Sequence, residues 1–185
     1  MEIRTVILME MEAALVLVQE VVLVQEGGGS TGTGGGSGGG SEGSVTKSTL
    51  SSPVGTATIS SLFMSTRTCA KCSSTHGGTD YAVPKGTNVL STASGTVVRS
   101  YYSTTYGNTV IVNHGSNQHG SGNVYTLYAH GESRLVAQGQ QVDINEVLIK
   151  SGNTGLNTTG PHLHYEVIVT TKTPFEPGFF WKFIN

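Results

Sequence analysis

Residues 160–167 read GPHLHYEV, and they decide the fold. Leu163, Tyr165 and Val167 alternate with His162, His164 and Glu166. That two-residue period belongs to a strand with one apolar face, and it puts His162 and His164 together on the other. Taken alone, an H-x-H is two polar residues on the solvent side of a half-buried strand. A functional reading needs further residues that give the imidazoles a task.

Working outward, the chain after residue 45 shows short β-rich runs bounded by Gly, Asn, Ser and Pro. They include TNVLSTASGTVVRSYY (87–102), NTVIVNHG (108–115), NVYTLYAH (123–130), EVLIKSG (146–152) and LHYEVIVT (163–170). No long helical period interrupts them. Turn signals about every ten residues predict an all-β domain, an antiparallel sandwich or barrel-like sheet. VNHGSNQHGSGNVY reads as a hairpin with a polar loop, and its histidines, His114 and His119, are assigned to solvent.

Of the chain's 26 glycines many cluster in GGGSTGTGGGSGGGSEGS (27–44), a flexible-linker composition. It divides an apolar, Glu-punctuated segment (1–26) from a domain spanning 45–185. Residues 1–44 carry six Glu and one Arg, net −5; the rest carry nine Lys/Arg against six Asp/Glu, net +3. A mildly basic domain suits a polyanionic partner, whereas no basic cluster with interleaved aromatics points to nucleic acid. The first segment has no charge-free run long enough to span a membrane, and it makes a poor signal peptide. With its LVLVQE and VLVQE repeat it reads as a self-associating amphipathic helix or a β-prone strand pair, and its apolar surface implies self-association or a partner such as a virion protein.

His76 and Asp80 stand in H-x-x-x-D spacing within THGGTDYAVPKGT (75–87). Together with H-x-H at the far end of a β domain they offer a mixed N/O set. Three protein ligands plus water is the usual catalytic zinc arrangement. YTLYAH (125–130) ends in His130. Cys69 and Cys72, in CAKC, form with His76 and Asp80 a rival local set, although that set leaves the H-x-H unused. A Cys69–Cys72 disulfide or two thiols is the simpler reading.

HGGTDYAVPKGT, ASGTVV, YGNTVIVNHG, YTLYAH, GQQVDINEVLIKSGNTG and TTGPHLHYEV together resemble the lysostaphin/LytM-type zinc endopeptidases of the M23 family, over about Thr75 to Val167. The resemblance implies one zinc per chain, held by His76, Asp80 and His164. It implies His130 and His162 as catalytic histidines, without saying which is the general base. It also implies peptidoglycan cross-bridge or stem peptides as substrate, and a place in the cell wall or outside the cell; the poor match to an export signal adds a virion-borne setting. The family's Gly-aromatic-Gly-x-Arg stretch is missing; Arg67, in SSLFMSTRTCAKC, stands in for its arginine. The alternative is an inactive relative that keeps the fold as a scaffold. Such degeneracy shows as lost ligands, and all five positions are filled here.

Overall fold

A computed structural model describes residues 50–68, 74–117 and 121–171. The segment 1–26, the linker 27–44, Cys69, Cys72 and His119 lie outside these residues.

The described residues adopt the expected all-β architecture. Its strands are β1 (Thr58–Ser61), β2 (Thr79–Ala82), β3 (Asn88–Leu90), β4 (Gly95–Ser103), β5 (Gly107–Ser116), β6 (Asn123–Gly131), β7 (Ser133–Arg134), β8 (Gln141–Val142), β9 (Val147–Lys150) and β10 (Leu163–Thr170). Seven form an antiparallel sheet in the order β1-β2-β10-β6-β5-β4-β8, and β3-β9-β7 form a second. The hairpin read around 110–125 is β5–β6. The run 87–102 is two strands, broken at 91–94, where Ser91 donates its hydroxyl to the Ala93 carbonyl. No described helix is long and apolar enough to cross a membrane.

Alternation in β10 does what the sequence predicts. Leu163, Tyr165 and Val167 join Val97, Val110 and Tyr128 in the main core. His164 and Glu166 lie on the opposite face, where Ile111, Leu127, Ala129 and Ile168 form a smaller cluster. Register then selects neighbours. β10 pairs with β2 so that His164 faces Asp80, and with β6 so that His164 faces Ala129.

His114 corrects the solvent assignment. It is half-buried, with Nδ1 3.0 Å from the Ser94 carbonyl and Nε2 2.7 Å from the Thr126 hydroxyl. Burial lowers its pKa, against the pull of the Ser94 carbonyl. The β4–β5 pairing brings Ser94 to it, and no local pattern reveals that contact.

Gly78 lets β2 approach β10. A Cβ there would meet the Tyr165 carbonyl, and would lie 2.8 Å from Glu166 Cγ and 3.0 Å from His164 Cε1. Gly78→Ala is therefore expected to force the strands apart beside Asp80 and His164, destabilising the domain by about 1–3 kcal/mol. Thermal unfolding measures this, and an unchanged midpoint would contradict it.

Candidate active site

His76 follows a short antiparallel pairing. Met64 N donates to His76 O at 2.9 Å, His76 N to Ser65 O at 3.0 Å and Arg67 N to Ser74 O at 2.9 Å. This brings Arg67 beside Asp80, with Nη2 2.6 Å from Oδ2. The other carboxylate oxygen, Oδ1, faces two imidazoles. It lies 3.1 Å from His76 Nε2 and 2.8 Å from His164 Nδ1, and those nitrogens are 3.1 Å apart. All three residues are buried.

Each imidazole is held from behind. His76 Nδ1 lies 3.0 Å from the Leu62 carbonyl and 2.9 Å from Ser61 Oγ. A carbonyl only accepts, so Nδ1 carries the proton and the neutral ring turns its lone pair inward from Nε2. His164 Nε2 lies 2.8 Å from Glu166 Oε1, which leaves Nδ1 facing inward. Such outward bonds fix tautomers in metal-binding histidines. With them in place, three lone-pair-bearing atoms meet at about 3 Å, and their repulsion calls for a cation. A tetrahedral zinc with bonds of ~2.0–2.1 Å spaces its ligand atoms roughly 3.3 Å apart. The His76, Asp80 and His164 donor set is compact enough to hold such an ion.

In the metal-free protein a proton serves instead. Burial opposes charge on His164, but hydrogen bonds to Asp80 and Glu166 outweigh it, and the imidazolium is pushed up to about 9. Burial also opposes ionisation of Asp80, yet the hydrogen bond from His164 and the charge of that imidazolium hold it far below the usual carboxylate range.

His130 reaches the same face by a backbone device. Alternation after Ala129 would turn it toward the main core. Instead its φ is +60°, and β6 is irregular opposite β5 between the pairs Val110–Tyr128 and Asn108–Gly131. Bulges and left-handed residues re-aim side chains in this way. The ring packs 4.8 Å from that of His162 and 5.9 Å from that of His164, centroid to centroid. Its Nδ1 donates to the Thr154 carbonyl at 2.8 Å, leaving Nε2 with the lone pair. Burial draws its pKa down to about 4, outweighing that hydrogen bond, so His130 is neutral at pH 7.

His162 is half-buried. It donates Nδ1–H to the Gly160 carbonyl at 2.8 Å and turns Nε2 toward Asp80 Oδ1, 3.7 Å away. One loop between β9 and β10 thus orients both His130 and His162. The five residues singled out from sequence all meet here, and Arg67 joins them through Asp80.

The model of peptidase family M23 matches residues 74–177. The chain belongs to peptidase family M23. Among M23-type relatives, the peptidoglycan DD-endopeptidase ShyA of Vibrio cholerae is 44% identical over 95 residues, 51% of this chain and 20% of that protein. The DD-carboxypeptidase/endopeptidase Mpg of Neisseria meningitidis is 43% identical over 102 residues, 55% of this chain and 22% of that one. The chain spans about a fifth of the length of these curated relatives. A zinc-containing peptidase from Vibrio cholerae superposes with a TM-score of 0.58 at 31% identity, covering 66% of this chain and 37% of that one. The catalytic domain of lysostaphin from Staphylococcus simulans shares the fold, with a TM-score of 0.54 at 24% identity over 63% of this chain and 84% of that one.

Two M23-site neighbours went unread in the sequence. Glu166, two residues after His164, was available as H-x-H-x-E. Tyr106 lies 60 residues from Glu166 in the chain, and its hydroxyl reaches Oε1 at 2.9 Å. No local signal finds it.

Proposed function

We propose that this domain is a zinc metalloendopeptidase acting on peptide bonds of bacterial peptidoglycan, in cross-bridges or stem peptides. The observation that carries the reading is the convergence of His76 Nε2, Asp80 Oδ1 and His164 Nδ1 at 2.8–3.1 Å. Two further imidazoles beside them have their tautomers fixed by backbone carbonyls. The similarity to peptidoglycan endopeptidases supports the substrate class. Filled ligand and histidine positions favour an enzyme over an inactive scaffold.

In this reading His76, Asp80 and His164 hold one zinc. When bound, the metal supplies a Lewis acid for the scissile carbonyl and lowers the pKa of water. His130 Nε2, neutral and aimed at the site, takes the proton of the attacking water and passes it to the leaving amine. His162, whose Nδ1–H is fixed on the Gly160 carbonyl, turns Nε2 toward the site beside Asp80, and in its protonated form that nitrogen donates to charge developing on the carbonyl oxygen. Arg67 keeps Asp80 from rotating by engaging Oδ2.

The domain then works at the wall, outside the cell or on a virion, with residues 1–26 as an attachment or self-association segment beyond the 27–44 tether. Digestion of purified peptidoglycans of several chemotypes, with mass spectrometry of the new termini, tests the activity. New amine termini that vanish on chelation and return with zinc are expected; intact peptides with zinc-loaded protein would contradict the reading.

Metal binding must displace the His164 proton. That proton is held below about pH 9 and absent above it. Zinc affinity is therefore expected to rise about tenfold per pH unit up to that point. Calorimetry near pH 7, in buffers of different ionisation enthalpy, should show about one proton released per zinc. Affinity independent of pH would contradict this.

A further inference from the structure

The metal side of the site and the His130 side sit on different strand contacts, and Tyr106 touches both. Tyr106 lies in the turn between β4 and β5. Its backbone carbonyl accepts the His130 N–H at 2.8 Å. Its ring stacks on that of His130, with centroids 6.0 Å apart and planes within 10°. The same ring meets His164 edge-on at 5.3 Å. Its hydroxyl donates at 2.9 Å to Glu166 Oε1, the oxygen that also receives His164 Nε2–H at 2.8 Å.

We propose that Tyr106 is a positioning residue that sets the placement of His130 relative to the proposed metal ligand His164, through its stacked ring on one side and its hydroxyl on Glu166 on the other. It needs no contact with substrate for this. The physical argument is one of freedom removed. A carboxylate holding a single imidazole can swing about its own χ angles and carry the ring with it. A second donor on the same oxygen fixes the carboxylate, and the tautomer and tilt of His164 follow. His130 stands in a left-handed backbone conformation that is uncommon for any residue but glycine, and its ring is held there by its neighbours. The tyrosine plane is the neighbour that lies parallel to it.

The turn is shaped for this task. Gly107, next in the chain, has φ +67°, and a Cβ there would collide with Thr154, whose carbonyl holds His130 Nδ1. Ser103 Oγ accepts the Tyr106 N–H at 3.2 Å and closes the turn. The backbone of Tyr106 is thus fixed independently of its side chain, so removal of the hydroxyl alone leaves the turn intact.

This inference rests on the peptidase reading above, and its test separates the two. In the full chain, Tyr106→Phe keeps the ring and removes one hydroxyl. Zinc is expected to bind about tenfold more weakly, the lower end for loss of an outer-shell partner. kcat should fall by about the same factor while KM stays within twofold. Glu166→Gln keeps an acceptor oxygen. Its effect and that of Tyr106→Phe should be non-additive in the double variant, because both act through one oxygen. The metal-free protein gives a readout independent of activity. In long-range ¹H–¹⁵N spectra of the imidazoles, Tyr106→Phe should shift the signals of both His164 and His130. Wild-type zinc affinity, wild-type kcat and superimposable imidazole spectra in that variant would overturn the proposal. Strict additivity with Glu166→Gln would overturn the hydroxyl route. If the wild-type chain takes up no zinc and cuts no peptide, the peptidase reading falls, and the metal-free spectra still decide the role of Tyr106.

Discussion

His164→Ala is expected to abolish metal binding at the site and lower peptide hydrolysis by a factor on the order of 10³ or more, a barrier increase of about 4 kcal/mol. Three contributions converge. The variant removes one of three inward atoms, leaving His76 Nε2 and Asp80 Oδ1 as a two-ligand set for an ion that normally takes three protein ligands at a catalytic centre. It strips Asp80 of its shorter imidazole contact, at 2.8 Å, and Glu166 of the one at 2.8 Å. Two carboxylates with little access to water are then less well compensated, and removing one partner of a buried ion pair costs about 3–5 kcal/mol. Part of the loss should therefore appear as a lower unfolding temperature in the metal-free state. Elemental analysis of the purified variant, with circular dichroism to verify folding, measures the metal. Full zinc retention in a folded His164→Ala protein would remove it from the ligand set.

His130→Asn is expected to keep zinc while lowering kcat by a factor on the order of 10²–10⁴, the range for loss of a general acid–base group. Asparagine is the informative substitution. His130 has φ +60°, and Asn tolerates that left-handed region better than Ala, so the chemical role is tested with little backbone penalty. The ring contacts His162 and His164 without joining the His76–Asp80–His164 triangle, so metal content should not change. Turnover of zinc-loaded protein on peptidoglycan measures the effect. A variant with near-normal kcat would make His130 a bystander and transfer the base role to His162.

Much of this site was legible in the sequence because it follows strand periodicity. The placement of His162 and His164 opposite Leu163 and Tyr165 required only alternation, and those two apolar residues are in the main core. The β5–β6 hairpin was visible for the same reason. β1 and β2 were not read as strands. They are four residues each, and β2 begins directly after Gly77 and Gly78, the second of which lets it approach β10 closely. Asp80 was found by its spacing from His76, while the cross-strand register that sets it against His164 is a tertiary fact. The aim of His130 was illegible, because it depends on a local break in alternation that no residue type announces. Tyr106 and the partner of Arg67 are defined by which strands lie side by side, whereas Glu166 follows from the same alternation as His162 and His164. His114 was misassigned for the mirror-image reason: a polar loop sequence suggested solvent, whereas a neighbouring strand end and the Thr126 hydroxyl enclose it.

The central claim is that one zinc is held by two imidazoles and a carboxylate. X-ray absorption at the zinc edge of the stoichiometrically loaded full chain tests it most directly. The account predicts nitrogen and oxygen scatterers at ~2.0–2.1 Å, with the outer-shell signature of two imidazoles and no sulfur. A sulfur shell at ~2.3 Å, lost in a Cys69→Ser, Cys72→Ser variant, would contradict it and move the metal to the CAKC segment.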